Sequence, residues 1–478
     1  MEQISLKAIE QQFVKRGYDT SVMEQMLAEE IKKSKKKFVV LDDDPTGVQT
    51  VHDITVFTDW SVSSMKKGFM LPDRIFYVLT NSRGLTEAQT TSLHKEIAEH
   101  VMQAADELHQ EFAIISRSDS TLRGHYPLET RLLKECLEAG GQPKIDGEIL
   151  FPFFKEGGRY TAEDIHYVNY DDVLIPAGET EFAKDRTFGY RASNLCEYVE
   201  EKTKGEYKAD SVVRISLYSL RGGEVNVIKH QLLEVQNFNK VIVNALDYED
   251  VKVFCTALYQ AMAEGKNFLF RTAASFVKVL GGVTDIPLLT RKDMVQEESK
   301  NGGIIVVGSH TQKTTEQVEQ LRQVPGLEFI EFNSDLVLED RLEEEVNRVN
   351  QFSEEAISHG KTVVAYTKRK LLEVEHDTKE QALLRSVKIS EGVQSLVGNL
   401  KVKPAFVIAK GGITSSDVGV KALQVSQALV LGQIRPGIPV WKTDEASRFP
   451  GIPYVIFPGN VGAKETLREA VEILLKKE

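Results

Sequence analysis

FVVLDDDPTGVQTV, residues 38–51, decides the reading of this chain. Phe38 to Leu41 is an apolar run with no alternation, as expected of a strand buried on both faces. It ends in Asp42, Asp43 and Asp44, whose charges repel one another. Pro45 then pushes Asp44 toward an extended or turn conformation, so the strand should stop here. An acidic turn at the end of a buried strand calls for a compensating partner.

The same plan recurs on either side. Further strands are expected at ITVFT (54–58), IFYVLT (75–80), FAIIS (112–116) and ILFPFF (149–154). Between the third and fourth of these five strands, Leu93, Ile97, Val101, Ala105 and Leu108 recur at three- and four-residue steps, one face of a helix. LETRLLKECLEA follows the fourth strand as a second helix. VVRISL and KVIVNAL continue the series to about residue 247. Residues 1–36 read as a helical extension that ends in KKSKKK, and lysines suit a helix C-terminus.

A polar stretch rich in helix and strand breakers, residues 281–303, marks a boundary. A second alternating series then begins: IIVVGSHT, LEFIEF, TVVAYT, AFVIAKGGITSSDVGVKAL and YVIFPGNVGAKET, with helices between. Strands separated by helices predict mostly parallel sheets flanked by helices. The expected organisation is an α/β chain. It has a helical extension (1–36), a first α/β domain (37–285), a linker (286–302) and a second α/β domain (303–478).

With 478 residues, 41% hydrophobic and 27% charged, the chain has ample material for two cores. A net charge of −12 argues against nucleic acid or an anionic membrane as partner. The N-terminus shows no secretory pattern, and no run of about 18 apolar residues suggests a spanning helix. Cys136, Cys196 and Cys255 are far apart and odd in number, so they read as reduced core thiols and the expected location is cytoplasmic. The ten histidines form no metal-binding spacing, and His52 and His125 read as hydrogen-bonding loop residues.

In open α/β sheets ligands bind at the carboxyl ends of strands, where the unusual loops of this chain fall. In the first domain they are LDDDPTG (41–47), TNSRG (80–84), SRSDSTLRGH (116–125) and FPFFKEGGRYT (151–161). They mix acids and hydroxyls with Arg83, Arg117, Arg123 and Arg159. Arginine grips a carboxylate with a planar fork, and hydroxyl side chains serve sugar hydroxyls. A small polyhydroxylated acid suits that set; salt bridges that merely staple the loops together are the plainer alternative. In the second domain VVGSHT (306–311), AKGGITSSD (409–417) and FPGNVGAKET (457–466) each run from a strand into a helix. Such loops offer backbone N–H groups to phosphate oxygens. None is a Walker A loop, and there is no GxGxxG.

The aspartates admit two readings. Asp42, Asp44 and Thr46 spell DxDxT, the opening motif of haloacid-dehalogenase-type phosphatases, with Asp42 as nucleophile. The magnesium-binding acidic pair which that chemistry needs has no counterpart later in the chain. Alternatively Asp43 and Asp44 work together, one accepting a proton from an attacking hydroxyl while the other orients the substrate. A ligand-binding sensor without catalysis is the third possibility.

DDPTG (43–47), RSDSTLRG (117–124), GGRYT (157–161), VGSHT (307–311), KGGITSSDV (410–418) and PGNVG (458–462) resemble, in order, the motifs of four-carbon acid sugar kinases. The family patterns are DDxTG, KxDSTLRG, GR, a GS-small-Ser/Thr turn, GGxTS and SGxFG. The resemblance spans about residues 38–470, and DSTLRG is its most specific element. It implies an N-terminal domain for the sugar acid, a C-terminal domain for ATP, and phosphoryl transfer in the cleft between them. Carried over, Asp43, Asp44, Thr46, Asp119, Arg123 and Arg159 fall on the substrate side, and Arg83 joins them by its loop. Asp43 and Asp44 would be the catalytic carboxylates. Ser309, Gly411, Gly412, Ile413, Thr414 and Gly459 fall on the nucleotide side. Magnesium is implied by the reaction class, a threonate, erythronate or oxo-tetronate by the family. The oligomeric state is left open, a homodimer included. Arg117 stands where the family has lysine, Pro45 where it has a bulkier apolar residue, and Val461 where it has phenylalanine. PGNVG also lacks the usual serine.

Overall fold

The computed structural model describes residues 4–13, 18–170, 172–295, 299–370, 372, 374, 377–459 and 461–476. The chain divides into two compact units. Met1–Gly47 and Asp59–Asp285 form the first; Val48–Thr58 and Ile286–Glu478 form the second.

The first unit is built on seven parallel strands among the described residues. Their order is Val213–Ile215, Asn239–Val243, Gly147–Phe151, Phe268–Thr272, Phe112–Arg117, Lys37–Asp42, Ile75–Leu79. Every residue of Lys37–Asp42 is buried, which is why its sequence does not alternate. The strand expected to run to Phe154 stops at Phe151, because Pro152 has no N–H to give the ladder. Glu87–Leu108 is a single helix, opened by a capping box between Thr86 and Gln89. It packs against Leu128–Ala139 and Val62–Met70.

The N-terminal extension belongs to this unit. Ile4–Ser5 is a short strand, and the helices are Leu6–Gln12 and Thr20–Lys33; part of the expected helix, residues 14–17, lies outside the described residues. Thr20–Lys33 buries Met23 and Leu27 and packs on the helix Tyr248–Ala263. A small antiparallel sheet, in the order Ile4–Ser5, Val173–Pro176, Ile165–Tyr170, Arg159–Ala162, was not expected. Its tight turn uses Glu163 and Asp164 at φ 49° and 65°. Two positive φ values suit a hairpin turn, but without glycine or asparagine the turn leaves no sequence signal.

Among the described residues the second unit has five parallel strands, Leu327–Phe332, Thr362–Thr367, Ile304–Val307, Val407–Lys410 and Pro453–Phe457, in that order. Three antiparallel strands extend this sheet: Ile438–Thr443, Gln427–Arg435 and Ile54–Phe57. Two expectations are corrected here. Ile54–Phe57 was placed in the first domain; it pairs with Gln427–Val430 and belongs to the second unit. A strand's sequence shows that it is buried but not which sheet buries it. The stretch 286–302, expected as linker, sends Leu289 and Met294 into the second unit's core, and Leu289 N–H donates to Gln433 O at 2.8 Å. No helix among the described residues is long and apolar enough to cross a membrane.

Candidate functional site

In the first unit the strand Lys37–Asp42 delivers the three aspartates into a set of arginines. The backbone turns at once through a short 3₁₀ segment, Pro45–Val48, so the three carboxylates diverge. Asp42 Oδ1 lies 3.1 Å from Arg117 Nη1. Asp43 Oδ1 lies 3.0 Å from Arg83 Nη2 and 3.7 Å from Arg117 Nη1. Asp44 Oδ2 lies 3.1 Å from Arg83 Nη2, and its Oδ1 accepts hydrogen bonds from the Thr46 N–H at 2.8 Å and hydroxyl at 2.6 Å. Asp43 Oδ2 is buried with no hydrogen-bond partner.

Burial pushes the Asp42 carboxyl up to about 7 against the pull of Arg117. Burial likewise raises Asp43, opposed by Arg83 and Arg117. Burial works on Asp44 too, but Arg83 and the Thr46 hydrogen bonds win and hold it below the usual range. Gly47 crosses directly over Asp42, where a Cβ would meet the carboxylate at 2.0–2.3 Å. Asp42 is therefore sealed, its side chain 2% exposed, while that of Asp44 is 20% exposed.

The DSTLRG loop closes the cluster. Arg123 Nε pairs with Asp119 Oδ2 at 2.6 Å, and Arg83 reaches Asp119 Oδ1 at 4.0 Å. Against the effect of burial, these two guanidiniums hold Asp119 far below the usual range. Arg123 and Arg159 both lie over the Phe182 ring, at 5.0 and 5.7 Å. Arg159 differs from the others in that no carboxylate lies within ion-pair distance among the described residues; its Nε, like those of Arg83 and Arg117, is buried without a partner. Burial lowers its pKa.

Two supports beneath this surface escaped the sequence reading. Arg271 is held by Glu129 and donates to Ser116 Oγ at 3.0 Å and to the Arg123 carbonyl at 3.4 Å. Buried His166 lies 2.7 Å from Ser120 O and 2.9 Å from Thr161 Oγ1. Its Nε2 must donate to the carbonyl, so Nδ1 accepts from the Thr161 hydroxyl, the neutral tautomer. Burial favours that form and pushes the imidazole down to about 4. His166 thus pins the DSTLRG loop to the hairpin that carries Arg159. His125 and His52 are hydrogen-bonding loop residues, to Leu85 O and Asp53 respectively.

In the second unit the three glycine loops meet. Ser309 Oγ accepts from Thr314 Oγ1 at 3.0 Å, and Thr314 Oγ1 also lies 3.3 Å from the Gly459 carbonyl. Gly411, at φ 126°, and Gly459 bring the backbone close to Ser309: Cβ atoms added there would lie 3.3 Å from Ser309 Cβ and 3.7 Å from Ser309 Oγ. Gly412 begins the six-residue helix Gly412–Asp417, in which Thr414 is buried against the loop of Gly308, and Ile413 is 73% exposed. Arg369, which the sequence reading passed over, donates from Nη2 to Ser309 O at 2.5 Å and from Nε to Thr315 Oγ1 at 3.2 Å. Lys410, at the end of its strand, is wholly buried and donates to the carbonyls of Pro458 at 2.6 Å and Gly459 at 3.2 Å. Asn460 of the PGNVG motif lies outside the described residues.

So Asp43, Asp44, Arg83, Asp119, Arg123 and Arg159 come together in the first unit, with Thr46 serving to cap Asp44. Ser309, Gly411, Gly412, Thr414 and Gly459 come together in the second, with Ile413 at the rim. Among the described residues no group of three or more acidic, histidine or cysteine side chains could hold a metal ion.

Comparison with known proteins matches these units in turn. A family model described as a sugar-binding N-terminal domain covers residues 38–280, and one described as a nucleotide-binding C-terminal domain covers residues 304–467. No curated protein matches the chain. Among solved structures, a Haemophilus influenzae protein from a domain family of unknown function aligns over 91% of this chain and 100% of its own. Its identity is 17% and its TM-score 0.59. A Salmonella typhimurium LT2 protein, provisionally named a tRNA synthase, aligns over 91% of this chain and 98% of its own at 14% identity and TM-score 0.65. At such identities the likeness concerns the fold. With both domain models matched in order over most of its length, the chain belongs to the four-carbon acid sugar kinase family.

Proposed function

We propose that this protein is an ATP-dependent kinase that phosphorylates a hydroxyl of a small sugar acid of about four carbons, of the threonate, erythronate or oxo-tetronate type. The observation that carries this reading is Arg159. Every other guanidinium of the first-unit cluster has a carboxylate partner, whereas Arg159 has none among the described residues and shares the Phe182 ring with Arg123. A half-buried cation without a counter-ion is costly unless a ligand supplies one. A sugar acid brings a carboxylate for Arg159, with hydroxyls for Asp119 and Asp44.

Asp44 is the most exposed of the three aspartates and stays ionised, so it receives the acceptor hydroxyl. Asp43 and Arg83 hold it in place. The hydroxyl oxygen attacks the γ-phosphorus of ATP, the bond to the β,γ-bridging oxygen breaks, ADP leaves, and Asp44 takes the proton. Phosphoryl transfer depends on positioning and charge neutralisation more than on covalent catalysis. The glycine loops of Ser309, Gly411–Thr414 and Gly459 would take the triphosphate. Magnesium, which the reaction class implies, would supply charge neutralisation of the nucleotide phosphates.

The phosphatase reading needs Asp42 as an open nucleophile, and the lid formed by Gly47 argues against that. The test is a coupled ADP-release assay across four-carbon sugar acids, with phosphorus NMR of the product. A phosphorylated acid formed in step with ADP is expected. ATP binding without turnover of any acid would favour a sensor, and phosphate release from a phosphorylated acid without ATP would favour the phosphatase.

A further inference from the structure

Lys410 ends the strand Val407–Lys410, between Ile304–Val307 and Pro453–Phe457. It is wholly buried, and no aspartate or glutamate lies within ion-pair distance of its ammonium among the described residues. Instead its Nζ donates to Pro458 O and Gly459 O and lies 4.3 Å from the centre of the Phe457 ring. The Gly459 carbonyl also receives Thr314 Oγ1 at 3.3 Å and Thr311 Oγ1 at 3.5 Å. One carbonyl thus joins all three glycine loops, and Lys410 stands behind it.

A buried lysine whose only partners are neutral carbonyls bears a large desolvation cost when charged. A core position that only needed filling would be served better by methionine. We infer that Lys410 is a positioning residue of the nucleotide site, a buried amine that sets the three loops around the polyphosphate and becomes a cation as the polyphosphate binds. This rests on the assignment of these loops to ATP.

The surroundings fit that role. The charge that bears on Lys410 is Lys313, in the first turn of Gln312–Leu321; the 308–311 loop also carries His310 and is held by Arg369 through the Ser309 carbonyl. Asp417, on the helix after the glycines, is already engaged by Ser390 at 2.7 Å and Lys421 at 2.8 Å. Burial, seconded by Lys313, pushes Lys410 down to about 7. A neutral amine still has two N–H donors for its two carbonyls, so the loops hold together in either state. Polyphosphate favours the charged state. Binding therefore takes up a proton, about 0.9 at pH 8 and about 0.1 at pH 6 for a group moved from about 7 to well above 8.

The experiment is titration calorimetry of the full chain with a non-hydrolysable ATP analogue, at pH 6 and pH 8, in buffers of different ionisation enthalpy. Wild-type protein should take up close to one proton at pH 8 and little at pH 6. Lys410→Met should lose that uptake and bind the analogue at least tenfold more weakly at pH 6, while sugar-acid binding is unchanged. Lys410→Gln keeps a donor without the charge and should behave like Lys410→Met. Full affinity in Lys410→Gln would assign the effect to the hydrogen bonds and overturn the inference. So would a wild-type protein that binds the analogue with no proton uptake at pH 8, a result that needs no variant to fold. A wild-type protein that binds no analogue at either pH would instead overturn the kinase reading on which this rests.

Discussion

Replacing Arg159 by methionine should separate binding from stability. In most buried ion clusters, removing a cation strands its carboxylates and costs about 3–5 kcal/mol. Arg117→Met should do this, because Asp42 and Asp43 would lose a guanidinium at 3.1 and 3.7 Å. Arg159 strands nothing, having no carboxylate partner among the described residues. Its removal gives up the contact over Phe182, about 0.5–1 kcal/mol, part of which a methionine sulfur restores. It also relieves the desolvation of an unpaired charge. The net change in unfolding free energy should lie within about 1 kcal/mol of zero. Binding of the acid is another matter. Hydrogen bonds to charged groups contribute about 1.5–3 kcal/mol each, so losing the fork should cost about 3 kcal/mol, roughly a hundredfold in KM for the acid. KM for ATP should hardly move. Urea denaturation and steady-state kinetics at saturating ATP measure the two sides. A loss of 3 kcal/mol in stability, or an unchanged KM for the acid, would refute the reasoning.

Asp44→Asn should lower kcat about 10²- to 10⁴-fold with nucleotide binding intact, whereas Asp42→Asn, under Gly47, should be much milder in kinetics; a dead Asp42→Asn beside a nearly normal Asp44→Asn would restore the phosphatase reading. Gly459→Ala places a methyl 3.7 Å from Ser309 Oγ and 4.0 Å from Gly411 Cα, ordinary contacts at a backbone angle open to any residue. Thermal stability should therefore hold, while KM for ATP rises because the methyl occupies space between the phosphate loops; equal ATP kinetics would remove Gly459 from the site. Acid should unfold the first unit in a definite window. Burial would raise Glu129, but Arg271 and His94 pull it down to about 2, and Asp44 and Asp119 are also depressed. As pH falls below about 4.5 the unfolded chain binds these protons first, so stability present at neutral pH is lost toward about 2. Glu129→Gln should flatten that slope as well as lower stability, and a slope unchanged from wild type in urea titrations at pH 3 to 5 would contradict the assignment.

Much of the fold was legible because strands leave a short apolar signature, unbroken where both faces are buried, as in FVVL (38–41), and interrupted by polar residues at a sheet edge, as in LEFIEF. Leu327–Phe332 and Thr362–Thr367 are read to the residue from LEFIEF and TVVAYT. What the sequence concealed was partnership. Nothing in ITVFT says that its neighbour is Gln427–Val430, nearly four hundred residues away in the chain. The hairpin Gln427–Arg435 and Ile438–Thr443 turns at a Pro-Gly pair that could have been noticed, Gly437 having φ 76°. The site shows the same division. Its loops were legible as loops, since acids, arginines and glycines at strand ends have few bland explanations. Arg271 and Lys410 were passed over, although each carries one shared signal: a cationic residue at the end of an otherwise apolar strand, one before Thr-Ala-Ala and the other before Gly-Gly.

The three adjacent aspartates are tolerated because they do not act as neighbours. The strand ends at Asp42 and the turn sends each carboxylate a different way, onto Arg117, onto Arg83 and Arg117, and onto Arg83 and Thr46. Arg83 serves Asp43 and Asp44 and reaches toward Asp119, so one guanidinium joins the acidic turn to the DSTLRG loop. Among the described residues two groups then stand out, the carboxylate of Asp44 as the most exposed of the three and the guanidinium of Arg159 as the one without a carboxylate partner. They have opposite charges and do not pair with one another. A ligand that satisfies both must bring an anion to one end and a hydroxyl donor to the other. A neutral sugar would leave Arg159 without a counter-ion, and a simple carboxylic acid would bring no hydroxyl to the exposed side of Asp44. The plain account of these loops as salt bridges covers the pairing of Asp42 with Arg117. It leaves the exposed carboxylate of Asp44 and the unpaired guanidinium of Arg159 unaccounted for, and that is the ground for proposing a hydroxy acid as the ligand.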